Sequence, residues 1–486
     1  MLNKLKNHPY ISLMPICLGI FIAADDQTVI VTIMPEIMND MNIPFTELNK
    51  VSWAITGYLI GYISVIPVIG RISDIYGKRK IFMICTTIFL IGSILVALSA
   101  SIEFLILSRI IQSIGAGALI PIGISMASDS FPQNKIAIPI GIIAGTAEAG
   151  AVIGPLWGGI ISNYLNWEWV FWINVPLALI VLLTCILLIK PKPSSEEKFD
   201  YFSGFIIIIS LITLTLGLNR LNPVEILTYI YFSVFIVTIL ILIIKMNSDK
   251  LSSQFKTNNF ILINLSHFLI GSSLMIGMIT VPLMANTVLG LNSLEGGLYL
   301  MRMTIPIPIS AVIGGILYQK TNYKFTIIIG LLISSIGFFS MSNWGLEISD
   351  PNLTIHLLIT GFGLGMLISP IYTKGLESIE ETSKTSAASI LTASRLIGMT
   401  LSISWISSWG TSRFQDLTNG VKLLPLLTQT NINSTTDTSS IQLQISKAGL
   451  QLFNDFFLIA AILCIIAIIP VLLIKNSLIQ ASDISN

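Results

Sequence analysis

The sequence predicts an all-α polytopic membrane protein with fourteen transmembrane helices in a six, two, six arrangement. Three observations predict it. Of 486 residues, 53% are apolar and only 10% charged, where a soluble domain carries roughly 25% charged residues. Mean hydropathy is +0.84, and apolar runs of about 20 residues, enough to cross a bilayer core, recur along the whole chain. The basic residues between those runs also sort to one side once each run is taken to cross the membrane. The 26 Lys and Arg nearly balance the 25 Asp and Glu, so the net charge of +1 offers no basic excess for a nucleic acid.

The first run, residues 11–33, follows Lys4 and Lys6 as a signal peptide would. It extends to Met34 and carries two aspartates near its far end, so a retained helix is expected. Runs near 50–70, 81–100, 103–127, 136–161 and 168–189 complete an N-terminal six-helix bundle, residues 1–190. Residues 190–200 (KPKPSSEEKFD) form a charged, proline-bearing linker. Two additional spans, 202–218 and 226–245, and a second polar stretch, 245–259, fill residues 191–259. Six more runs, near 260–286, 296–319, 324–343, 353–373, 386–412 and 453–474, form a C-terminal bundle over 260–486, with a Thr-, Ser-, Asn- and Gln-rich external loop at 413–452, expected to be solvated with room for one short helix. With a cytoplasmic N-terminus, eighteen basic loop residues fall inside, including Lys78, Arg79, Lys80, Lys190, Lys320, Lys324, Lys384 and Lys475. Five fall outside: Lys50, Arg220, Arg413, Lys422 and Lys447. Both termini and both linkers are therefore expected in the cytoplasm. Cys17, Cys85, Cys185 and Cys464 each stand alone in an apolar stretch and are read as small buried hydrophobes. No Cys, His or carboxylate cluster has metal-ligand or catalytic spacing, so no metal site, cofactor or enzyme activity is expected.

After the second run the sequence reads Gly70-Arg71-Ile72-Ser73-Asp74-Ile75-Tyr76-Gly77-Lys78-Arg79-Lys80. This resembles the G-x-L-x-D-x-x-G-R-K/R-x loop of the major facilitator superfamily, with Ile72 and Lys78 as departures. The fifth run holds Gly150, Gly154, Pro155, Gly158 and Gly159, similar to the G-x-x-x-G-P-x-x-G-G element of that superfamily's antiporter branch. Glycines four apart drift only about 40° per step and form one smooth stripe for helix packing. Asp26-Gln27-Thr28-Val29-Ile30-Val31-Thr32-Ile33-Met34-Pro35 resembles the D-x-T-I-V-N-V-A-L-P element of the drug:proton antiporter-2 family, with Thr32 for the asparagine. Arg109-Ile110-Ile111-Gln112-Ser113-Ile114-Gly115 is similar to its R-x-x-Q-G-x-G, with Ser113 for a glycine. The sixth run matches W-R-W-x-F-x-I-N-x-P from Trp167 to Pro176, except that Glu168 reverses a charge. Fainter echoes in the second half include Leu289, Gly290, Gly297 and Arg302, the glycines 361, 363 and 365 with Pro370, and Arg395 with Gly398.

Ionisable residues inside spans are costly and point to function. The motif resemblance selects Asp26, whereas helix phase selects Asp25, which falls within about 60° of Thr28 and Thr32; the two stay as alternatives, with Asp26 preferred. Asp26 and Arg109 both lie about 9 to 12 Å from the outer ends of their spans and are able to pair, while Glu148 lies about 20 Å deep. Glu148 also points about 80° to 160° from the glycine stripe. His267 and His356 are lone intramembrane histidines, read first as packing residues. No G-x-x-x-x-G-K-[ST] sequence is present, so ATP is not the evident energy source.

The resemblance implies a major facilitator fold that exports a hydrophobic or amphiphilic small molecule in exchange for protons, of the multidrug efflux type, by alternating access about a midplane site. Asp26, Arg109 and Gln112, by the same resemblance, and Asp25 and Glu148, by helix phase and depth, are expected to line the proton path or cavity. Gly70, Asp74, Gly77, Lys78 and Arg79 form a cytoplasmic gate, and Arg302 and Arg395 serve the C-terminal half. The expected partners are the small-molecule substrate, protons and the lipid bilayer, for a monomer in the cytoplasmic membrane. The rivals are an importer or uniporter on the same fold and a non-transporting sensor or enzyme.

Overall fold

The computed structural model describes residues 10–43, 48–191, 199–220, 225–246, 255, 257–291, 293–418 and 435–475. Lys4, Lys6, Lys192, Lys198, Lys250, Lys256 and Lys422, which entered the charge partition, lie outside them. The described residues contain helices and no strand, and 14 helical spans are long and apolar enough to cross a membrane. In chain order the helices are α1 (Leu13–Asp40), α2 (Leu48–Tyr76), α3 (Lys78–Ala97), α4 (Ile102–Gly117), α5 (Leu119–Ser130), α6 (Ala137–Tyr164), α7 (Trp169–Leu188), α8 (Tyr201–Asn219) and α9 (Ile226–Met246). They continue with α10 (Asn258–Thr287), α11 (Ser293–Thr304), α12 (Pro306–Lys320), α13 (Tyr323–Met341), α14 (Asn352–Glu377), α15 (Lys384–Thr418), α16 (Thr435–Ile466) and α17 (Ile468–Leu473).

Three spans are broken into two helices, and each break has the same local cause. The helices α4, α11 and α16 end at Gly117, Thr304 and Ile466, each four residues before a proline, Pro121, Pro308 and Pro470. Proline has no N–H to bond the carbonyl four residues back, so the ladder stops there. The segment expected as an external loop is shorter than the sequence suggests, because α15 runs on to Thr418 and α16 begins at Thr435. Residues 419–434 lie outside the described set. Of the cysteines, Cys85, Cys185 and Cys464 are buried as expected, but Cys17 is only half-buried.

The two bundles are copies of one packing scheme. In the first, α1 packs on α6 and a Cβ at Gly150 would lie 2.6 Å from the Phe21 carbonyl oxygen. In the second, α10 packs on α15 and Gly398 meets the Phe268 carbonyl in the same way. Gly92 against Gln112 is repeated by Gly337 against Thr360, and Gly117 against Tyr62 by Gly365 against Ile307. Each counterpart lies about 247 residues later in the chain, the mark of an internal repeat of the kind secondary transporters use.

The bundles meet along α2 with α15, α5 with α15, and α6 with α12 and α14. The close approaches lie between the middle of the spans and the end that carries Tyr76, Lys78 and Lys384, termed the basic end here. Gly70 rests on Thr385 and Ser389, a Cβ at Gly141 would lie 2.7 Å from the Ala311 oxygen, and one at Gly145 would lie 2.7 Å from the Pro308 oxygen. Ser369 donates to the Ala137 carbonyl at 2.5 Å. The additional helices α8 and α9 pack on each other, and α8 is fastened to the second bundle where Ser404 donates to the Leu218 carbonyl at 2.7 Å. Outside the spans, Asp200 pairs with Lys245 and caps α8. Hydrogen bonds from Lys245 and Ser203 hold its carboxyl down at about 2.

Candidate functional site

The most completely buried ion pair among the described residues lies within the first bundle. Arg109 Nη1 donates to Asp26 Oδ2 at 2.5 Å, and both side chains are 0% exposed. Arg109 also donates to Gln112 Oε1 at 2.7 Å, and Gln112 Nε2 donates to Asp26 Oδ1 at 2.8 Å and to Ser93 Oγ at 2.8 Å. Asn174 Nδ2 adds a bond to Asp26 Oδ1 at 3.1 Å. Gly92 makes this possible, since a Cβ there would lie 2.6 Å from the Gln112 backbone nitrogen and hold α3 away from α4. The Arg109 guanidinium lies 4.1 Å above the Tyr58 ring and 5.7 Å from that of Phe171. A buried charge is tolerated only when paired and hydrogen-bonded, and Asp26 meets that condition on both oxygens.

Asp25, one residue earlier, is not part of this cluster. It is 6% exposed and its Oδ1 is shielded from solvent without a hydrogen-bond partner. The Arg109 pairing thus follows the motif resemblance, and helix phase places Asp25 elsewhere. The glycine stripe packs α6 onto α1 within one bundle. Cβ atoms at Gly154 and Gly158 would lie 2.6 Å from the Asp25 oxygen and 2.5 Å from Val29 Cγ2, while Gly159 faces open space. Pro155 lies inside α6 without ending it.

Glu148 leaves the stripe and reaches the other bundle. Its Oε1 lies 2.6 Å from Arg395 Nη2, the two side chains being 16% and 14% exposed. Around this pair stand Tyr62 of α2 and Tyr372 of α14, each 2% exposed. The Tyr372 and Thr392 hydroxyls share a hydrogen bond of 2.8 Å, and the His267 ring meets Tyr372 edge-on at 5.1 Å. His356 Nδ1 accepts from Trp344 Nε1 at 2.9 Å, a packing contact.

At the basic end, Asp74 caps α15 across the junction. Its Oδ1 accepts from the Thr385 N–H at 3.0 Å, and its Oδ2 from the Ser386 N–H at 2.8 Å and the Ser386 hydroxyl at 2.7 Å. A carboxylate at a helix N-terminus satisfies orphan N–H groups and meets the positive end of the dipole. Thr385 Oγ1 also bonds Ser125 Oγ at 2.8 Å. Gly77 turns the chain at φ 97°, a conformation glycine adopts without strain. Beyond it Lys78 pairs with Asp129 at 2.8 Å and Arg79 donates to the Ile186 carbonyl at 3.2 Å. A cavity of about 380 Å³ opens beside this latch, walled by Ser73, Asp74, Lys78, Asp129, Lys190 and Glu381.

Arg302 is not brought to these sites. It pairs with Asp350 at 2.9 Å in a half-exposed position and stacks on Tyr299. The partners Thr385, Ser386, Asn174 and Ser93 were not singled out from the sequence. Asn174 alone carried a signal, as the asparagine of the I-N-x-P element. Among the described residues no group of three or more His, Cys, Asp or Glu is placed to hold a metal ion.

The sequence pattern of a family described as Major Facilitator Superfamily matches residues 16–403. A triacylglyceride transporter of Mycobacterium tuberculosis is 28% identical over 486 aligned positions, covering 94% of this chain and 93% of that protein. Another, of Mycolicibacterium hassiacum, is 29% identical over 428 positions, covering 82% and 78%. In fold, the chain is similar to the crystal structure of the human organic anion transporter TETRAN, with a TM-score of 0.59 at 12% identity over 94% of this chain and 99% of that one. It is similar also to the E. coli fucose:proton symporter, with a TM-score of 0.57 at 13% identity and coverage of 94% and 99%.

Proposed function

The chain belongs to the Major Facilitator Superfamily, and from that premise we propose that this transporter exports a hydrophobic or amphiphilic molecule in exchange for protons by alternating access. The observation that carries the reading is the Glu148–Arg395 pair, 2.6 Å long, which joins the two bundles in the middle of the spans. Alternating access rocks one bundle against the other about a midplane site. That movement separates Glu148 from Arg395 while leaving Asp26 and Arg109, which share one bundle, together. A carboxylate stripped of its cation inside a membrane is costly, and a proton on Glu148 cancels its charge. Uptake of a proton then accompanies separation, and its release accompanies re-pairing. Asp26 with Arg109, Gln112 and Asn174 holds α1 in place, and Asp25 is a second group able to take a proton.

The basic end is the cytoplasmic end in this reading, with both termini inside, because loop lysines and arginines concentrate there. The α1 element and the fourteen spans support the drug:proton antiporter-2 branch. The names of the relatives make lipids of the triacylglyceride kind the first cargo to test. The test is purified monomeric protein in proteoliposomes, loaded in parallel with triacylglyceride and with amphiphilic dyes, under an imposed pH gradient. Proton influx should drive cargo the opposite way. Cargo moving with the protons would make it an importer, and movement indifferent to the gradient a uniporter.

A further inference from the structure

We propose that the slot between α10, α12, α14 and α15 is a water site, in which His267 and Arg395 hold one water molecule and His267 thereby positions the Arg395 guanidinium. The inference rests on the transport cycle given above. The walls of the slot are apolar, among them Ile270, Ile307, Leu364 and Ile371, and His267 and Arg395 are the polar members of its lining. Its volume is about 10 Å³, close to the least that takes a water, and a water settles where polar groups bond it. His267 is 1% exposed, and neither of its ring nitrogens has a hydrogen-bond partner within the protein. Buried polar groups are costly unless bonded. A neutral imidazole has one bare nitrogen that accepts, and a water donating to it still accepts from a guanidinium N–H.

Helix packing sets Arg395 against the same face of α10. A Cβ at Gly271 would lie 2.3 Å from the Arg395 carbonyl oxygen and 3.0 Å from Arg395 Cγ, and His267 stands one turn away from Gly271 on that face. The Leu391 carbonyl of α15 also faces the ring, short of hydrogen-bond geometry. The repeat itself does not call for a histidine here. Phe21 matches Phe268, so the counterpart of His267 is Ile20, which is 0% exposed. Since α10 and α15 belong to one bundle, the water travels with Arg395 and remains an acceptor for it once Glu148 withdraws. Without the water, separation costs more and protonation of Glu148 has to be driven by more acid. The other titratable groups around the pair are Tyr62 of α2 and Tyr372 of α14, while Asp25 of α1 lies against the glycine stripe of α6.

The first arm of the test uses full-length protein in proteoliposomes, labelled with nitrogen-15 at its three histidines. Solid-state NMR with polarisation passed from water protons should light the His267 ring nitrogens, assigned by their loss in His267→Leu. Leucine is apolar, like the residue at the matching place in the first bundle. In the second arm, spin labels at Lys80 and Glu380, both exposed at the basic end on opposite bundles, report the pH at which that end opens. His267→Leu should move this midpoint toward acid by about one pH unit, the tenfold effect of a hydrogen bond to a charged group. His267→Gln, which keeps a donor and an acceptor, should restore it, and in a Glu148→Gln background His267→Leu should move nothing. No transfer from water to His267, or an unmoved midpoint in His267→Leu, would overturn the proposal. Wild-type distances indifferent to pH would count against the proposed proton coupling, and the water transfer would still decide on the slot.

Discussion

Glu148 of α6 and Arg395 of α15 pair with each other at 2.6 Å across the junction between the two bundles. The other deep ion pair, Asp26 with Arg109, is shut inside one bundle with neither side chain exposed. In the proposed cycle one pair is broken by the rocking motion and the other is carried along by it. That difference in connectivity, more than depth or charge, separates a coupling role from a structural one.

Asp26→Asn and Arg109→Ala should each destabilise the fold, because removing one partner leaves the other charge buried and uncompensated, at a cost of about 3–5 kcal/mol. Thermal unfolding in detergent should show a lower midpoint for both, and exchange and accumulation should fall together. A variant with wild-type unfolding but selective loss of accumulation would move Asp26 into the proton path.

Asp74→Asn should weaken the latch without unfolding the protein. Asparagine keeps one acceptor oxygen but loses the other and the charge facing the helix dipole, at a cost of about 1 kcal/mol, so the basic-end-closed population should fall several-fold in distances between spin labels at Lys80 and Glu380. Unchanged distances would return the loop to a generic positive-inside connection.

Gly154→Ala and Gly159→Ala form a matched pair. A methyl at Gly154 would lie 2.6 Å from the Asp25 oxygen, whereas Gly159 faces open space. Overpacking of this kind costs about 1–3 kcal/mol, so only the first should lower the unfolding midpoint. Equal effects would mean that the stripe does not set the distance between α1 and α6.

The charge partition predicts that a single cysteine at Ser439 is labelled from outside the cell and one at Ser194 is not. The opposite pattern would invert the topology.

Much of this was legible in the sequence, and for physical reasons. Lipid-facing helices must be long and apolar, so their number shows in composition alone. The i, i+4 glycines showed a packing stripe, and depth along the spans brought Asp26 to Arg109. Contacts between bundles were not legible, because they join positions hundreds of residues apart. Asp74 marked itself as an acid at a helix end, but nothing local to Thr385 and Ser386 marks them as its acceptors' counterparts on α15. Arg395 appeared only as one residue of a faint R-x-x-G echo, and nothing local to it marks Glu148 as its partner. The helical parts of 413–452 were hidden by their polar composition, which resembles that of a loop.

The most direct test compares Glu148→Gln with wild type in proteoliposomes for two quantities, downhill cargo exchange and accumulation driven by a pH gradient. Glutamine keeps the shape and a hydrogen bond to Arg395 but cannot carry a transported proton. Measurable exchange with gradient-driven accumulation lost is the expected result. Accumulation at the wild-type level in this variant would contradict it, and would leave the cross-bundle pair as a structural link alone.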